Sequence, residues 1–277
     1  MREKKIFYRE RIWECGCYTE VEVFPVFQKP GVRRSKCKPS SEVQKRMNQK
    51  NAQKKYTRLV HLNFIENDHA IGLDYSENCI PDNDEQYKVD IKNWLRRIKR
   101  LYKRYGEILK YIVVFEQSDN GAPHFHININ KTSVPEELIR KKWTLGRTEV
   151  EPLQFDETGV VGWCKYTTKS KYFSKRWFAS KNLKQPEPKS VKDYAFPKKL
   201  VDSLRIEDMD VIHRKYGENM QLIKCVIENN EINRADYINI QLFDLEKHIR
   251  LTGKKRYERK IRNDKSAVRT GAQKINC

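Results

Sequence analysis

The sequence predicts a protein of the α+β class, because apolar periods typical of strands and of helices both occur between residues 56 and 186. Tyr111 to Gln117 and His124 to Asn130 read as two strands joined by the turn Asp119-Asn120-Gly121, which predicts a β-hairpin. Apolar residues from Ile91 to Tyr105 recur at intervals of three and four, which predicts a helix with one core-facing side.

The other elements are predicted from shorter signals. Arg58 to Ile65 is expected to be the first strand, because its apolar residues alternate with His61 and Asn63. Asp82, Asn83 and Asp84 can cap the helix that follows, and Gly106 ends it. Further helices are expected after Pro135, from Val160 to Tyr172, around Pro197 to Leu204 and around Ala235 to Leu251, with an extended segment from Arg176 to Leu183.

Composition divides the chain into three parts. Residues 1–55 are expected to form a basic N-terminal arm, although the segment from Lys29 to Lys55 also fits an exposed helix. Residues 56–186 hold the motifs, and the proline-rich Gln185 to Pro188 marks a boundary. Residues 187–277 are expected to be a partly helical extension with a basic, disordered tail from Gly253.

The charge balance points to a polyanionic partner. Lysine and arginine number 57 against 37 acidic residues, for a net charge of +20 spread along the chain. Nucleic acid is the commonest such partner, although a basic surface can also serve solubility alone. No apolar run approaches the roughly 20 residues that span a bilayer, and the N-terminus has no signal-peptide core, so a cytoplasmic location is expected.

The seven cysteines are odd in number and scattered, which favours reduced thiols over a disulfide framework. Cys15, Cys17 and Cys37 are an alternative zinc set, but no second cysteine pair at finger spacing accompanies them.

The segment His124-Phe125-His126 is the most informative motif. Alternate residues of a strand share a face, so both imidazoles point one way and Phe125 points toward a core. Glu116 ends the preceding strand, and the tight turn is expected to return it to the histidines. Two imidazoles and one carboxylate suit a divalent cation such as Mn²⁺ or Mg²⁺, and ligand type does not exclude zinc. The alternative is a polar strand face without a metal.

A tyrosine follows forty residues after His126. Tyr166 and Lys169 lie one helical turn apart. A phenolate can attack a phosphodiester and hold one DNA end as a phosphotyrosine, while a nearby ammonium binds the phosphate. Tyr172 has the same spacing to Lys175, but we favour Tyr166 because Tyr172 lies near the predicted end of the helix. A structural tyrosine on a basic surface is the usual explanation of this spacing taken alone.

The order of these motifs resembles that of the HUH endonuclease superfamily, in its rolling-circle replication initiators of phage or plasmid type. The resemblance covers Tyr56 to about Pro186. Leu62-Asn63-Phe64 looks like the first motif, with Asn63 as a DNA contact, and the metal and tyrosine motifs follow in order. The eight-residue spacing from Glu116 to His124 is also similar to that of the family's carboxylate ligand. Relaxases of conjugation place the tyrosine before the histidines, so they fit less well.

This resemblance implies a ferredoxin-like antiparallel β-sheet with packed helices, the HUH nuclease fold. It implies nicking and rejoining of single-stranded origin DNA through a 5′-phosphotyrosine, with a divalent metal as cofactor, in the cytoplasm of a bacterial host. No segment of the pattern G-x-x-x-x-G-K-[ST] occurs, so a helicase is expected to come from the host, together with a polymerase.

Two alternatives to a replication initiator stay open from the sequence. A single-tyrosine transposase would use the same chemistry, although the extension after residue 186 argues against it. A non-catalytic basic DNA- or RNA-binding protein would leave the histidines structural.

The segment from Lys175 to Lys184 interleaves cations, aromatic rings and amides, which predicts contact with DNA. Trp177 and Phe178 are either stacking surfaces for unpaired bases or core residues. The cations expected to hold phosphates are Lys175, Arg176, Lys181 and Lys184.

Overall fold

The structure is a computed structural model that describes residues 7–26, 42–117, 123–168, 177–206, 208–230 and 235–253. These ranges form two antiparallel five-stranded sheets and seven helices, which is the α+β class that the sequence predicts. In chain order the elements are β1 (Phe7–Cys15), β2 (Tyr18–Val26), α1 (Glu42–Asn63), β3 (His69–Asp74), a 3₁₀ turn (Glu77–Cys79), α2 (Asp84–Arg104), β4 (Tyr111–Gln117), β5 (Pro123–Ile129), α3 (Glu136–Arg140), β6 (Thr148–Pro152), α4 (Val161–Thr167), β7 (Trp177–Ala179), β8 (Ser190–Asp193), α5 (Lys198–Arg205), α6 (Asp210–Tyr216), β9 (Met220–Asn230), β10 (Ala235–Asp244) and α7 (Leu245–Thr252).

The chain divides into two compact units. The central unit is Arg33–Pro186, and the terminal unit combines Met1–Val32 with Glu187–Cys277. The division after Pro186 falls where the sequence predicts a boundary. The two ends of the chain, however, share one unit. Residues 7–26 are therefore not part of a basic arm but two paired strands, whose alternating apolar side chains need a partner layer to be buried.

The central unit contains a sheet with the strand order β6-β3-β5-β4-β7. The apolar side of α2 packs on one face of this sheet, and its buried residues include Ile91, Trp94 and Ile98, as the helical spacing predicts. Asn83 caps the helix by accepting a hydrogen bond from the backbone N–H of Gln86 at 3.0 Å. The predicted hairpin is confirmed, with Glu116 opposite His124 across β4 and β5.

The prediction of a strand from Arg58 to Ile65 is wrong, because most of this segment is the C-terminal part of α1. Tyr56, Leu59 and Val60 also have the three- and four-residue spacing of a helix, and they are buried together. Alternation over five residues therefore had two readings. The first strand of the central sheet is instead β3, which pairs with β5 on one side and β6 on the other.

The terminal unit contains the second sheet, with the order β8-β1-β2-β10-β9. Val21 and Val23 of β2 pack with Ile238 and Ile240 of β10 against α5 and α6. The prediction of a helix from Ala235 to Leu251 is wrong for its first ten residues, which form β10, and right for α7. Alternate residues of β10 enter the core, which is a strand period.

The cysteines within the described ranges are free thiols, as the sequence favours, while Cys37 and Cys277 lie outside those ranges. None of the helices in the described part of the chain is long and apolar enough to cross a bilayer.

Candidate active site

The predicted metal ligands lie on the face of the central sheet opposite to α2. His124 and His126 are two positions apart on β5, and Glu116 is the cross-strand neighbour of His124 on β4. Phe115 and Phe125, one position away, point into the core beneath α2. The period of two therefore separates a chemically polar face from an apolar one, as the sequence predicts.

His126 and Glu116 form a buried pair. The Nε2 atom of His126 lies 2.8 Å from Oε2 of Glu116, and both side chains are 7% exposed. Burial, and then the neighbouring His124, lower the pKa of His126 to about 4, although Glu116 opposes this shift. His126 is therefore neutral near pH 7, which is the form that binds a metal.

Asp74 is a site residue that the sequence reasoning missed. It ends β3 directly opposite His124, so His124 has a carboxylate on each neighbouring strand, Asp74 on β3 and Glu116 on β4. The Nδ1 atom of His124 is hydrogen bonded to the Asp74 carboxylate. With its proton held at Nδ1, the ring presents Nε2 as the nitrogen that can coordinate. The signal was the alternation of Ile71 and Leu73 with polar positions in the unassigned strand.

Gly72 leaves room for the His124 ring. Gly72 lies two positions before Asp74 on β3, hence on the same face. A Cβ atom built on Gly72 would lie 3.2 Å from Cε1 and 3.5 Å from Nε2 of His124. A side chain at this position would therefore press on the edge of the ring that carries the coordinating nitrogen.

The donors fit a hard divalent cation in type and, for one pair, in spacing. Two ligands at right angles on an octahedral ion are about 3 Å apart, close to the separation of His126 and Glu116. The ring centroids of His124 and His126 are 4.3 Å apart. Within the described residues, no group of three or more histidine, cysteine, aspartate and glutamate side chains already converges as a complete metal-binding set.

Tyr166 lies beside these residues. It is on α4, and its ring centroid is 5.4 Å from that of His126. Its side chain is 53% exposed, so a substrate can reach it from solvent. Lys169 and the alternative nucleophile Tyr172 lie outside the described residues.

Asn128 connects the strand of the histidines to the helix of the tyrosine. Asn128 follows His126 by two positions on β5 and is buried. Its Oδ1 accepts a hydrogen bond from Nε1 of Trp163 on α4 at 3.1 Å, and its Nδ2 lies 3.5 Å from the hydroxyl of Tyr56 on α1. Three elements around the site are thus joined through one side chain.

His61 fixes the start of α4. Its Nε2 accepts a hydrogen bond from the backbone N–H of Val160 at 3.1 Å, which leaves Nδ1 as the donor to the Thr57 carbonyl at 2.8 Å. The neutral ring is the form that meets both partners, so α1 and α4 are joined at this point by an imidazole.

The predicted DNA contacts have different surroundings. Asn63 is buried, and its amide bonds backbone groups: Oδ1 accepts from the N–H of Lys184 at 2.8 Å, and Nδ2 donates to the carbonyls of Leu59 and Lys184. This geometry favours a structural role for Asn63. The side chains of Lys181 and Lys184 are exposed, whereas Lys175 and Arg176 lie outside the described residues.

The two aromatic residues of the same segment differ in their contacts. Phe178 packs against the core beneath α2. Trp177 is half-buried, with its ring centroid 5.3 Å from that of Tyr56. These contacts favour the core interpretation for Phe178 and partly for Trp177.

Residues 68–171 match the model of a family of replication-associated proteins, the ORF2 family. No curated protein and no solved structure matched the chain. The matched segment is somewhat more than a third of the chain, and it contains Asp74, Glu116, His124, His126 and Tyr166. The central unit is therefore similar, over its candidate active site, to a family of replication-associated proteins, which is consistent with a replication initiator.

Proposed function

We propose that the chain nicks and rejoins single-stranded DNA at a replication origin, with Tyr166 as the nucleophile. The observation that carries the proposal is the position of Tyr166, whose half-exposed ring lies 5.4 Å from the ring of His126 on the polar face of the sheet. A nucleophile that is open to solvent and adjacent to donors for a divalent cation suits phosphoryl transfer.

The reaction would be a transesterification. The Tyr166 oxygen attacks the scissile phosphorus and forms a 5′-phosphotyrosine bond, while the bond from phosphorus to the 3′-oxygen breaks. The phenol proton is balanced by the proton gained at the 3′-hydroxyl. Because the phosphotyrosine preserves the energy of the phosphodiester, attack by a 3′-hydroxyl on it reverses the step and reseals the strand. The free 3′-hydroxyl can meanwhile prime synthesis.

His126, Glu116 and His124 would hold the divalent cation, Mn²⁺ or Mg²⁺. When bound, such an ion polarises a phosphoryl oxygen. Burial keeps His126 neutral at pH 7, and Asp74 keeps the Nδ1 proton of His124 away from the coordinating nitrogen. The residues of this chain thus supply preformed donor atoms on a rigid strand.

The remaining roles in the proposed reaction concern the DNA. The exposed Lys181 and Lys184, together with Lys175 and Arg176, would hold phosphates of the single strand. Lys169, one helical turn after Tyr166 in the sequence, would bind the attacked phosphate. Unwinding and synthesis would depend on a host helicase and polymerase.

The test is a denaturing gel of the protein incubated with Mn²⁺ and single-stranded fragments that tile its own replicon. We expect a covalent adduct of protein and DNA with the unmutated chain, and none with Tyr166→Phe, which keeps the ring but removes the attacking oxygen. Tyr105→Phe is the matched control, since Tyr105 is also an exposed tyrosine of the central unit and lies at the end of α2, away from the polar face.

Tyr172→Phe separates two versions of the mechanism. If Tyr166 acts alone, this variant still forms the adduct. If Tyr172 attacks in a second strand transfer, the variant forms the adduct but fails to release a closed circle. Peptide mapping that finds the unmutated adduct on Tyr172 would overturn the assignment to Tyr166. Absence of both adduct and divalent-cation binding by calorimetry would leave only a nucleic-acid-binding protein.

A further inference from the structure

Helix α1 has two halves with different surroundings. From Tyr56 to Asn63 every residue except Leu62 is buried against the central unit. Every described side chain from Glu42 to Lys55 is instead exposed or half-exposed. A helix segment that is polar on all sides gains little from packing, so its composition is set by something other than a core.

The exposed half of α1 is strongly basic. Residues 42–55 contain five lysines and arginines and a single acidic residue, Glu42. Arg46, Lys50 and Lys54 follow one another at intervals of four, so they are stacked along one side of the helix. Like charges at this spacing destabilise an isolated helix. A face of this kind is unfavourable as a merely solvated surface and is relieved by a polyanion.

Amides alternate with these cations along the same side. In an α-helix, positions i, i+3, i+4, i+7 and i+8 form one stripe. Cations of such a stripe bind phosphates, and arginine or glutamine can also hydrogen bond to base edges. The stripe, called here the α1 stripe, is Arg46, Gln49, Lys50, Gln53 and Lys54.

The α1 stripe suits a duplex better than a single strand. Its eight residue steps span about 12 Å, comparable to the width of the major groove of B-DNA, which admits a helix. Proteins that bind single strands add aromatic rings on which unpaired bases stack. Residues 42–55 contain no aromatic residue.

We propose that the α1 stripe binds double-stranded DNA in the major groove. This surface extends the proposed function, because it would let the chain hold the duplex beside an origin while the polar face of the sheet acts on a single strand. Binding of a duplex requires neither the metal nor Tyr166, so the two proposals can fail separately.

The experiment compares two full-length variants that each lose three positive charges. One is Arg46→Gln with Lys50→Gln and Lys54→Gln in the α1 stripe. The matched control is Lys92→Gln with Lys99→Gln and Lys103→Gln, three exposed cations of α2, which packs on the other face of the sheet. Fluorescence anisotropy in EDTA measures the affinity of each for a labelled duplex and a labelled single strand over a series of salt concentrations.

We expect the α1 variant to lose about tenfold or more in duplex affinity and to reduce the slope of log affinity against log salt by about 3, one for each phosphate contact. The single-strand affinity should change less, and the α2 control should change neither by more than about twofold. Removing repelling charges should leave the α1 variant as helical as the parent chain by circular dichroism.

Equal losses in the α1 and α2 variants would overturn the proposal, because they would reveal a general basic surface. A loss confined to the single strand would overturn it as well. A normal duplex result from a chain that forms no tyrosine adduct would reject the nicking function while supporting the α1 surface.

Discussion

The hydrogen bond between Asp74 and His124 makes a prediction at the scale of single residues. Asp74→Asn keeps the shape of the side chain but removes the charge that holds the Nδ1 proton. Loss of such a partner commonly weakens metal binding, so we expect a decrease of about 10- to 100-fold in Mn²⁺ affinity by calorimetry. Glu151→Gln on β6 is the control, because it neutralises an exposed carboxylate of the same sheet. Unchanged Mn²⁺ affinity in Asp74→Asn would remove Asp74 from the site.

The lowered pKa of His126 predicts a pH dependence of stability. The pKa is about 4 in the folded chain against an ordinary value of 6.5, so between these values the unfolded state binds a proton that the folded state does not. The free energy of unfolding should therefore fall as the pH decreases from 6.5 to 4, by at most about 3 kcal/mol from this group, and the contribution should then stay constant.

The measurement uses the metal-free protein in EDTA, with thermal or urea unfolding at several pH values. His126→Gln retains an amide donor toward Glu116 but cannot titrate, so its stability should fall less steeply over the same window. Parallel curves for the two proteins would show that His126 keeps an ordinary pKa in the folded chain.

At the scale of elements, the position of α4 depends on the hydrogen bond from Trp163 to Asn128. Asn128→Ala leaves the indole N–H and the Tyr56 hydroxyl without this amide, and we expect a loss of about 1–3 kcal/mol in stability together with slower adduct formation. Trp163→Phe removes the same hydrogen bond from the other side while keeping an aromatic ring.

A double-mutant cycle isolates this bond. If the Trp163–Asn128 contact connects α4 to β5, the double variant should lose less stability than the sum of the single variants. Full additivity would mean that the two side chains act independently and that α4 is positioned by other contacts, such as the bond from Val160 to His61.

At the scale of the whole molecule, the shared sheet of the terminal unit predicts the effect of truncation. Deletion of residues 1–26 removes β1 and β2, so β8 loses its neighbouring strand in the described sheet and β10 loses one of two. We expect exposed strand edges to make the truncated protein aggregate, detected by size-exclusion chromatography. Deletion of residues 1–6 keeps both strands and is the control. A monomeric 27–277 chain with normal hydrogen-exchange protection in β10 would contradict this.

The sequence by itself determined the features that depend on neighbours in the chain. The stripe of α2 and the hairpin of β4 and β5 follow from local period and turn chemistry, and the hairpin brings Glu116 to His124 across only seven intervening residues. The same reasoning named His126 and Tyr166, whose rings the structure brings to 5.4 Å of each other. Their catalytic roles stay predictions.

The tertiary structure decided what depends on distant partners. Asp74 is 50 residues from His124 in the chain, and only the pairing of β3 with β5 makes them neighbours. Arg58 to Ile65 alternates like a strand, yet most of it is buried within a helix whose packing overrides that short signal. The terminal sheet joins β2 to β10 across more than 200 residues. Local periodicity specifies which face of an element is apolar, but not which distant element covers it, because that choice is made by the burial of the whole chain.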